Sequence, residues 1–236
     1  MAQVAVVIPA RDEETLMPGC LEAVAVAVDH SPVPVRTIVV LDTCRDRTAD
    51  VCASFGVETV VVSSENVGRA RHAGATRAIG GRTGTGSIWI ANTDADSRVA
   101  PDWVDQQVRL ADDGADVLLG LAEVTFDVPA VVISAHRAGY QDRIRVDGTH
   151  HHVHGANLGI RASTYLAAGG FPPLTDHEDQ QLVLRARALG DAAVVATTSL
   201  VVETSGRRAG RCRHGVARTM ADLMAATYPS EVRRPA

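Results

Sequence analysis

Trp89-Ile90-Ala91-Asn92-Thr93-Asp94-Ala95-Asp96-Ser97 is the stretch whose reading decides the fold. The apolar run from Ser87 to Ala91 reads as a buried strand, and it ends abruptly in two carboxylates spaced Asp-x-Asp. At the carboxyl edge of an open α/β sheet, where ligands bind, both side chains leave the sheet together. Carboxylates separated by a small residue suit a hard divalent cation that also holds substrate phosphates. The same residues suit a plain strand-to-helix turn, with Asp or Ser capping the next helix and Pro101 opening it. The chain on either side bears on the choice.

On the N-terminal side, Gln3 to Ile8 is a continuous β-branched run that reads as a buried strand. It stops at Pro9-Ala10-Arg11-Asp12-Glu13-Glu14, where acidic residues favour a helix N-terminus. The spacing of Leu16, Cys20, Leu21, Val24 and Val28 gives that helix. Val35 to Leu41 is a second strand closing on Asp42, followed by a helix through Val51 and Phe55, and Val57 to Val62 is a third strand. Asn66-Val67-Gly68 caps a helix through Ala70, Ala73 and Ala78. Strands and helices alternate, as in βαβ units with a mostly parallel sheet.

On the C-terminal side, a helix of Trp103, Val104 and Val108 precedes a strand from Asp116 to Leu121. Val128 to Arg145 reads as a helix, Gly155 to Ile160 as a short strand, and Ala162 to Ala168 as a short helix stopped by Gly169-Gly170. His177 to Leu189 is an amphipathic helix opened by acids, Ala192 to Val202 the last strand, and Arg207 to Thr227 helical. No linker is long enough to separate two domains. The expectation is one α/β domain over 1–236, with a nucleotide-binding half at 1–98, a catalytic and acceptor half at 99–205, and an Arg-rich helix and tail at 206–236.

Composition excludes several classes. A net charge of -5 gives no general attraction to nucleic acid or an anionic membrane, and 3% aromatics argue against base-stacking platforms. No stretch reaches the roughly 20 apolar residues of a membrane span, and no basic leader precedes the first strand. Cys20, Cys44, Cys52 and Cys212 show no Cys-x-x-Cys spacing, so the expectation is a cytoplasmic chain with reduced thiols. All 23 basic residues are Arg. That removes a P-loop or Schiff-base lysine and leaves Arg, backbone N–H groups or a metal to hold any phosphate.

Polar residues recur where successive strands end: Pro9-Ala10-Arg11, Asp42, Asn66 to Arg71, then Asp94 and Asp96. In a doubly wound sheet those ends share one edge and line one crevice. Polar βα loops are common, but four in series, each with an acid or Arg, point to a nucleotide pocket. The densest positive patch, Arg207, Arg208, Arg211 and Arg213 with His214, follows the last strand. It reads either as a solvated helix face or as a flap over a diphosphate held by Arg208 and Arg211.

The chain resembles a family 2 glycosyltransferase with the GT-A fold. The matching pieces are Val6-Val7-Ile8-Pro9-Ala10-Arg11-Asp12-Glu13, Val40-Leu41-Asp42, Asn66-Val67-Gly68-Arg69 and Asn92-Thr93-Asp94-Ala95-Asp96. Further on come His154-Gly155-Ala156-Asn157-Leu158-Gly159-Ile160-Arg161, Gly169-Gly170-Phe171 and His177-Glu178-Asp179. The resemblance spans about residues 3 to 190. Each motif is weak alone; the joint order is specific.

The resemblance implies a metal-dependent, inverting transfer of one sugar from a nucleoside-diphosphate sugar to a hydroxyl acceptor. Asp42 would accept from the nucleobase imide over a floor of Pro9, Ala10 and Arg11. Arg69 or Arg71 would lie near the base or pyrophosphate. Asp94 would meet the ribose, and Asp96, with Asp94, would hold Mg²⁺ or Mn²⁺. Gly155 would let backbone approach the donor sugar. Asp179, kept ionised by a helix dipole, would be the general base, with Glu178 orienting donor or acceptor. His214 would be the nearest stand-in for the family's C-terminal metal-ligating His. His150, His151, His152 and His154 fall in the acceptor region, where consecutive side chains diverge too much for a dedicated zinc site.

Two other readings stand beside this one. A nucleotidyltransferase can share the sheet order, but it typically carries a Gly- and Lys-containing loop where this chain has Pro-Ala-Arg-Asp-Glu-Glu. A non-catalytic sugar-nucleotide binder would have little use for Asp94, Asp96 and Asp179 together. The acceptor, a small molecule or a lipid-linked hydroxyl, is not legible, and neither is the choice among uracil, thymine and guanine.

Overall fold

Val4, Val6 and Ile8 of strand β1 (Gln3–Ala10) face one apolar core, while Val7 and Ala5 face the other side. Side chains alternate across a strand, so an unbroken apolar run is stable only where both faces are covered. The computed structural model describes residues 1–81, 84–141, 144–145, 147–207 and 216–227. Its other strands are β2 (Val35–Asp42), β3 (Glu58–Val62), β4 (Ile88–Asn92), β5 (Ser97–Val99), β6 (Val117–Phe126), β7 (Leu158–Arg161) and β8 (Val194–Ser205). All belong to one sheet in the order β3-β2-β1-β4-β7-β6-β8-β5.

Helices α1 (Met17–Asp29), α2 (Thr48–Ser54) and α4 (Trp103–Asp112) cover one face of the sheet. Helices α3 (Val67–Ile79), α6 (Ala162–Ala167) and α7 (Glu178–Arg187) bury apolar residues on the other. Helix α5 (Ala130–Gln141) and α8 (Val216–Thr227) pack Val132, Met220 and Met224 against Val124 near the end of β6.

The strand order fixes where a ligand can go. The chain winds outward from β1 through β2 to β3, then returns to place β4 on β1's other side, all in parallel. The crevice between the ends of β1 and β4 is thus a topological switch point. β7 runs antiparallel to β4, so the turn Gly155–Asn157 before it lies at the same edge. Asn157 locks that turn: its amide donates to the carbonyls of Leu121 (2.8 Å) and Leu200 (2.9 Å), and its oxygen accepts from Trp103 Nε1 (2.9 Å). β8 ends at this edge too, and β5 starts there, with Ser97 opposite Thr204.

Four of the seven strand pairings are parallel, as expected of a mostly parallel sheet, and β7 and β5 enter antiparallel. Three details depart from the sequence-based expectation. Ser97 to Val99 forms β5 instead of running into a helix, and Pro101 lies in a turn before α4. Helix α5 ends at Gln141, and Ile144 bridges to His150 across a turn closed by the Gly148 N–H and the Arg145 carbonyl. Gly155 to Asn157 is a 3-10 turn, so β7 starts only at Leu158. Cys20, Cys44 and Cys52 carry free thiols. No helix among the described residues is long and apolar enough to cross a membrane.

Candidate active site

A cleft of about 790 Å³ opens at the switch point, and Pro9, Ala10, Arg11, Asp42, Arg71, Asp94, Asp96, Gly155, Glu178 and Asp179 all line it. The structure thus gathers candidates from six separate segments. Arg69 is not among the lining residues; it is exposed on the other side of α3. Arg208, Arg211 and His214 lie outside the described residues.

The nucleotide end is built on loops. Asn66 caps α3 by accepting from the Arg69 N–H (2.9 Å). Asp42 folds the preceding segment: its carboxylate accepts the N–H groups of Ser64 (2.7 Å), Glu65 (2.9 Å) and Asn66 (2.9 Å) and the Ser64 hydroxyl (2.9 Å). Burial pushes the Asp42 carboxyl up, but these hydrogen bonds outweigh it and hold the pKa below the usual value. With both oxygens engaged in this way, Asp42 acts first on the loop. Arg11 pairs with Glu65 across the mouth at 2.8 Å.

Arg71 is the buried centre of the site, with only 2% of its surface exposed. It lies on the small-residue stripe Arg71, Gly74, Ala75 and Ala78, the inner face of α3. Nη2 meets Asp94 at 2.5 Å and Nε meets Glu178 at 3.1 Å. One cation therefore ties the end of β4 to the start of α7. Burial raises the pKa of Glu178, with Arg71 opposing it. Burial also raises that of Asp179, opposed by Arg71 and by the N–H groups of Gln180 and Gly155, each 2.7 Å away. The helix dipole that the sequence reading invokes at Asp179 is thus opposed by desolvation, which makes the carboxylate more basic than usual.

Asp96 ends the turn after β4 and leads into β5. Burial pushes its carboxyl up to about 6, with Arg207 opposing and Asp94 and Glu13 reinforcing the rise. Arg207 contacts Asp96 at 2.9 Å and Glu13 at 2.7 Å. Glu13, a helix-start acid in the sequence reading, is a buried member of the site, 5% exposed. No local pattern pairs it with Arg207, 194 residues away.

The far end is a wall of rings. Tyr140 stacks on His152 with centroids 4.1 Å apart, on His136 at 5.5 Å and on His154 at 5.8 Å. Tyr140 Oη accepts the Ala122 N–H (3.2 Å) and lies 2.8 Å from His154 Nε2. Burial and the neighbouring His152 and His150 lower the His154 pKa to about 4, so its imidazole is neutral and can accept the phenol proton. His136 and Tyr140, on α5, belong to no motif that the sequence reading uses. Their i, i+4 spacing is the one signal that could have found them.

Two carboxylates at the ends of buried elements fit Mg²⁺ or Mn²⁺, which take a few protein oxygens and fill the rest of their shell with water and phosphate. Among the described residues no cluster of three or more His, Cys, Asp or Glu is arranged to hold a metal by itself. Asp94 and Asp96 suit a cation shared with the phosphate oxygens of a substrate.

The single sheet, open at a switch-point cleft, has the GT-A fold. The chain belongs to glycosyl transferase family 2, whose family model matches residues 5–165. No curated protein matches it by sequence. Among solved structures it is similar to residues 1–349 of TarS from S. aureus in complex with UDP-GlcNAc (15% identity, TM-score 0.65, covering 95% of this chain and 67% of that one). It is similar to the Pyrobaculum calidifontis mannosyltransferase PcManGT in complex with GDP-Man and Mn²⁺ (16%, 0.63, 99% and 65%). Glucosyl-3-phosphoglycerate synthase from M. tuberculosis also matches (17%, 0.61, 97% and 80%). At such identities the likeness shows the fold alone, and the chain spans only 40% of the longer TarS structure.

Proposed function

We propose that this chain transfers a single sugar from a nucleoside-diphosphate sugar to a hydroxyl acceptor, with inversion and with the help of Mg²⁺ or Mn²⁺. The observation that carries the reading is the charge of the cleft. Its described lining has eight carboxylates (Glu13, Asp42, Glu65, Asp94, Asp96, Asp176, Glu178, Asp179) and three Arg (Arg11, Arg71, Arg207). An anionic diphosphate is repelled from such a cleft unless a further cation enters with it. A bound divalent cation supplies positive charge opposite the charge that develops on the leaving diphosphate.

Asp94 and Asp96 would hold that cation, and Arg71 fixes the position of Asp94. The base would lie between Pro9 to Arg11 and the loop that Asp42 folds. The acceptor would enter along the wall of Tyr140, His136 and His154, whose neutral faces suit the uncharged part of a small or lipid-linked alcohol. Its oxygen attacks the anomeric carbon as the bond to the diphosphate breaks, and the electron pair leaves with the diphosphate. The acceptor proton passes to Asp179, whose raised pKa favours that step.

A thermal-shift panel of UDP, GDP and dTDP with and without Mn²⁺ tests the donor half, since a ligand at 100 times its Kd adds about 2.7 kcal/mol. A rise that needs both nucleotide and Mn²⁺ is expected. No rise with any of the three, or the same rise in excess chelator, overturns the reading.

A further inference from the structure

Arg207 opens the Arg-rich patch that follows the last strand in the sequence, and a series of backbone contacts fixes its place. The Ser205 N–H donates to the Asp96 carbonyl (3.1 Å), and the Gly206 N–H to the Phe126 carbonyl (2.9 Å). Gly206 passes so close to β6 and its exit that a Cβ there would lie 2.5 Å from Val128 Cγ2. The Arg207 N–H then donates to the Ser205 hydroxyl (3.1 Å). From this fixed point the side chain turns back into the cleft, Nη1 on Glu13 and Nη2 on Asp96. Thus the carboxylate suited to a divalent cation already carries a cation belonging to the protein.

We propose that Arg207 is a built-in counter-ion that holds the cation position on Asp96 until a nucleoside diphosphate arrives, so that divalent-cation binding depends on the diphosphate. This rests on the reading of Asp94 and Asp96 as cation-binding carboxylates. A divalent ion approaching Asp96 alone meets a guanidinium 2.9 Å from the same carboxylate and must displace it. Displacement costs Arg207 one of its two carboxylate contacts and leaves it the one to Glu13. A diphosphate changes the balance, because its oxygens match the planar fork of a guanidinium and replace the lost carboxylate. Arg207 keeps 30% of its side-chain surface exposed, so it can turn toward such a ligand while its backbone stays in place. Coupling of this kind is reciprocal: the ion must strengthen diphosphate binding by the same factor as the diphosphate strengthens ion binding.

The test is Mn²⁺ affinity, read from the free-ion EPR signal, for the wild type, Arg207→Gln and the double variant Glu13→Gln/Arg207→Gln. Each is measured without nucleotide and with UDP or GDP, corrected for Mn²⁺ held by free nucleotide. Without nucleotide, both variants should bind Mn²⁺ about tenfold more tightly than the wild type, and the gain on adding nucleotide should shrink by a like factor. The double variant removes both members of the pair, so it serves if the loss of Arg207 alone spoils the fold of the single one. Equal Mn²⁺ affinity of wild type and variants without nucleotide overturns the counter-ion role and leaves the metal reading intact. Failure of every version to bind Mn²⁺ even with nucleotide overturns both.

Discussion

The guanidinium of Arg71 lies directly under Gly155: a Cβ built on Gly155 would fall 2.4 Å from Arg71 Nη2. Asp94 and Glu178 hold that guanidinium on two sides, so it cannot move aside cheaply. The glycine for which the family resemblance implies a place beside the donor sugar is thus required by the packing of Arg71 as well. Gly155→Ala should destabilise the fold by about 1–3 kcal/mol through overpacking. Urea denaturation checks this, and an unchanged midpoint would mean that Arg71 can shift.

Removing Arg71 tests the same network from its centre. Arg71→Met keeps the length and apolar contact but leaves Glu178, 5% exposed, without its cation. Breaking a buried pair in this way typically costs about 3–5 kcal/mol. Arg71→Met combined with Glu178→Gln should recover part of that loss, because the buried charge is gone. A double variant no more stable than the single one would show that Asp94 is the partner that matters.

Much of the arrangement was legible, and particular residues show why. Val4 to Ile8 and Ile88 to Ala91 are unbroken apolar runs closing on polar residues, a pattern that buried parallel strands produce and little else does. Arg71 could have been told from Arg69 by the small-residue stripe at i+3, i+4 and i+7 from Arg71, which marks the inner face of α3. β5 could not be found, because Ser97-Arg98-Val99 is too short for any period and is ordered by pairing with β8, more than 100 residues on. The same long-range pairing brings Arg207 to Asp96, which local pattern does not encode.

Asp42 makes a prediction about acid stability. Its net pKa is lowered, so its contribution is present above the ordinary carboxylate range and is lost as pH falls through the folded value. Asp42→Asn puts an amide N–H₂ against backbone N–H donors and should cost about 2 kcal/mol at pH 7. The difference between variant and wild type should narrow as pH falls below about 4, where the unfolded wild-type chain takes up a proton that the folded carboxylate still refuses. A constant difference from pH 7 to pH 3, measured by denaturant titration, would assign the loss to packing.

His154 works in the opposite direction. Its folded pKa is about 4 against an ordinary 6.5, so between those values the unfolded chain takes up a proton that the folded chain refuses. Stability should fall as pH drops through this window, by at most about 2 kcal/mol between pH 7 and pH 5. His154→Gln, which can still accept from Tyr140, should flatten that part of the profile. An equally steep profile in the variant would place the titration on another group.

Asp179 is the sharpest test of the chemistry. Its oxygens are fixed by the N–H groups of Gly155 and Gln180, and Arg71 acts on it through space while pairing directly with Glu178. Desolvation raises its pKa, which makes it a better base so long as the working pH stays above that value. A base that takes the acceptor proton contributes mainly in the transition state, so Asp179→Asn should bind donor nucleotide with Kd little changed. Turnover should fall by about 10² to 10⁴, and the acidic limb of the pH–rate profile should disappear with it. Because the amide introduced by Asp179→Asn could turn its N–H₂ toward the Gly155 N–H, the melting temperature is measured on the same preparation. A loss of turnover under about tenfold in a folded variant would remove Asp179 from the base role. A loss of donor binding instead would place its carboxylate in the nucleotide site and make Glu178 the next residue to test, even though its pairing with Arg71 makes it the poorer proton acceptor.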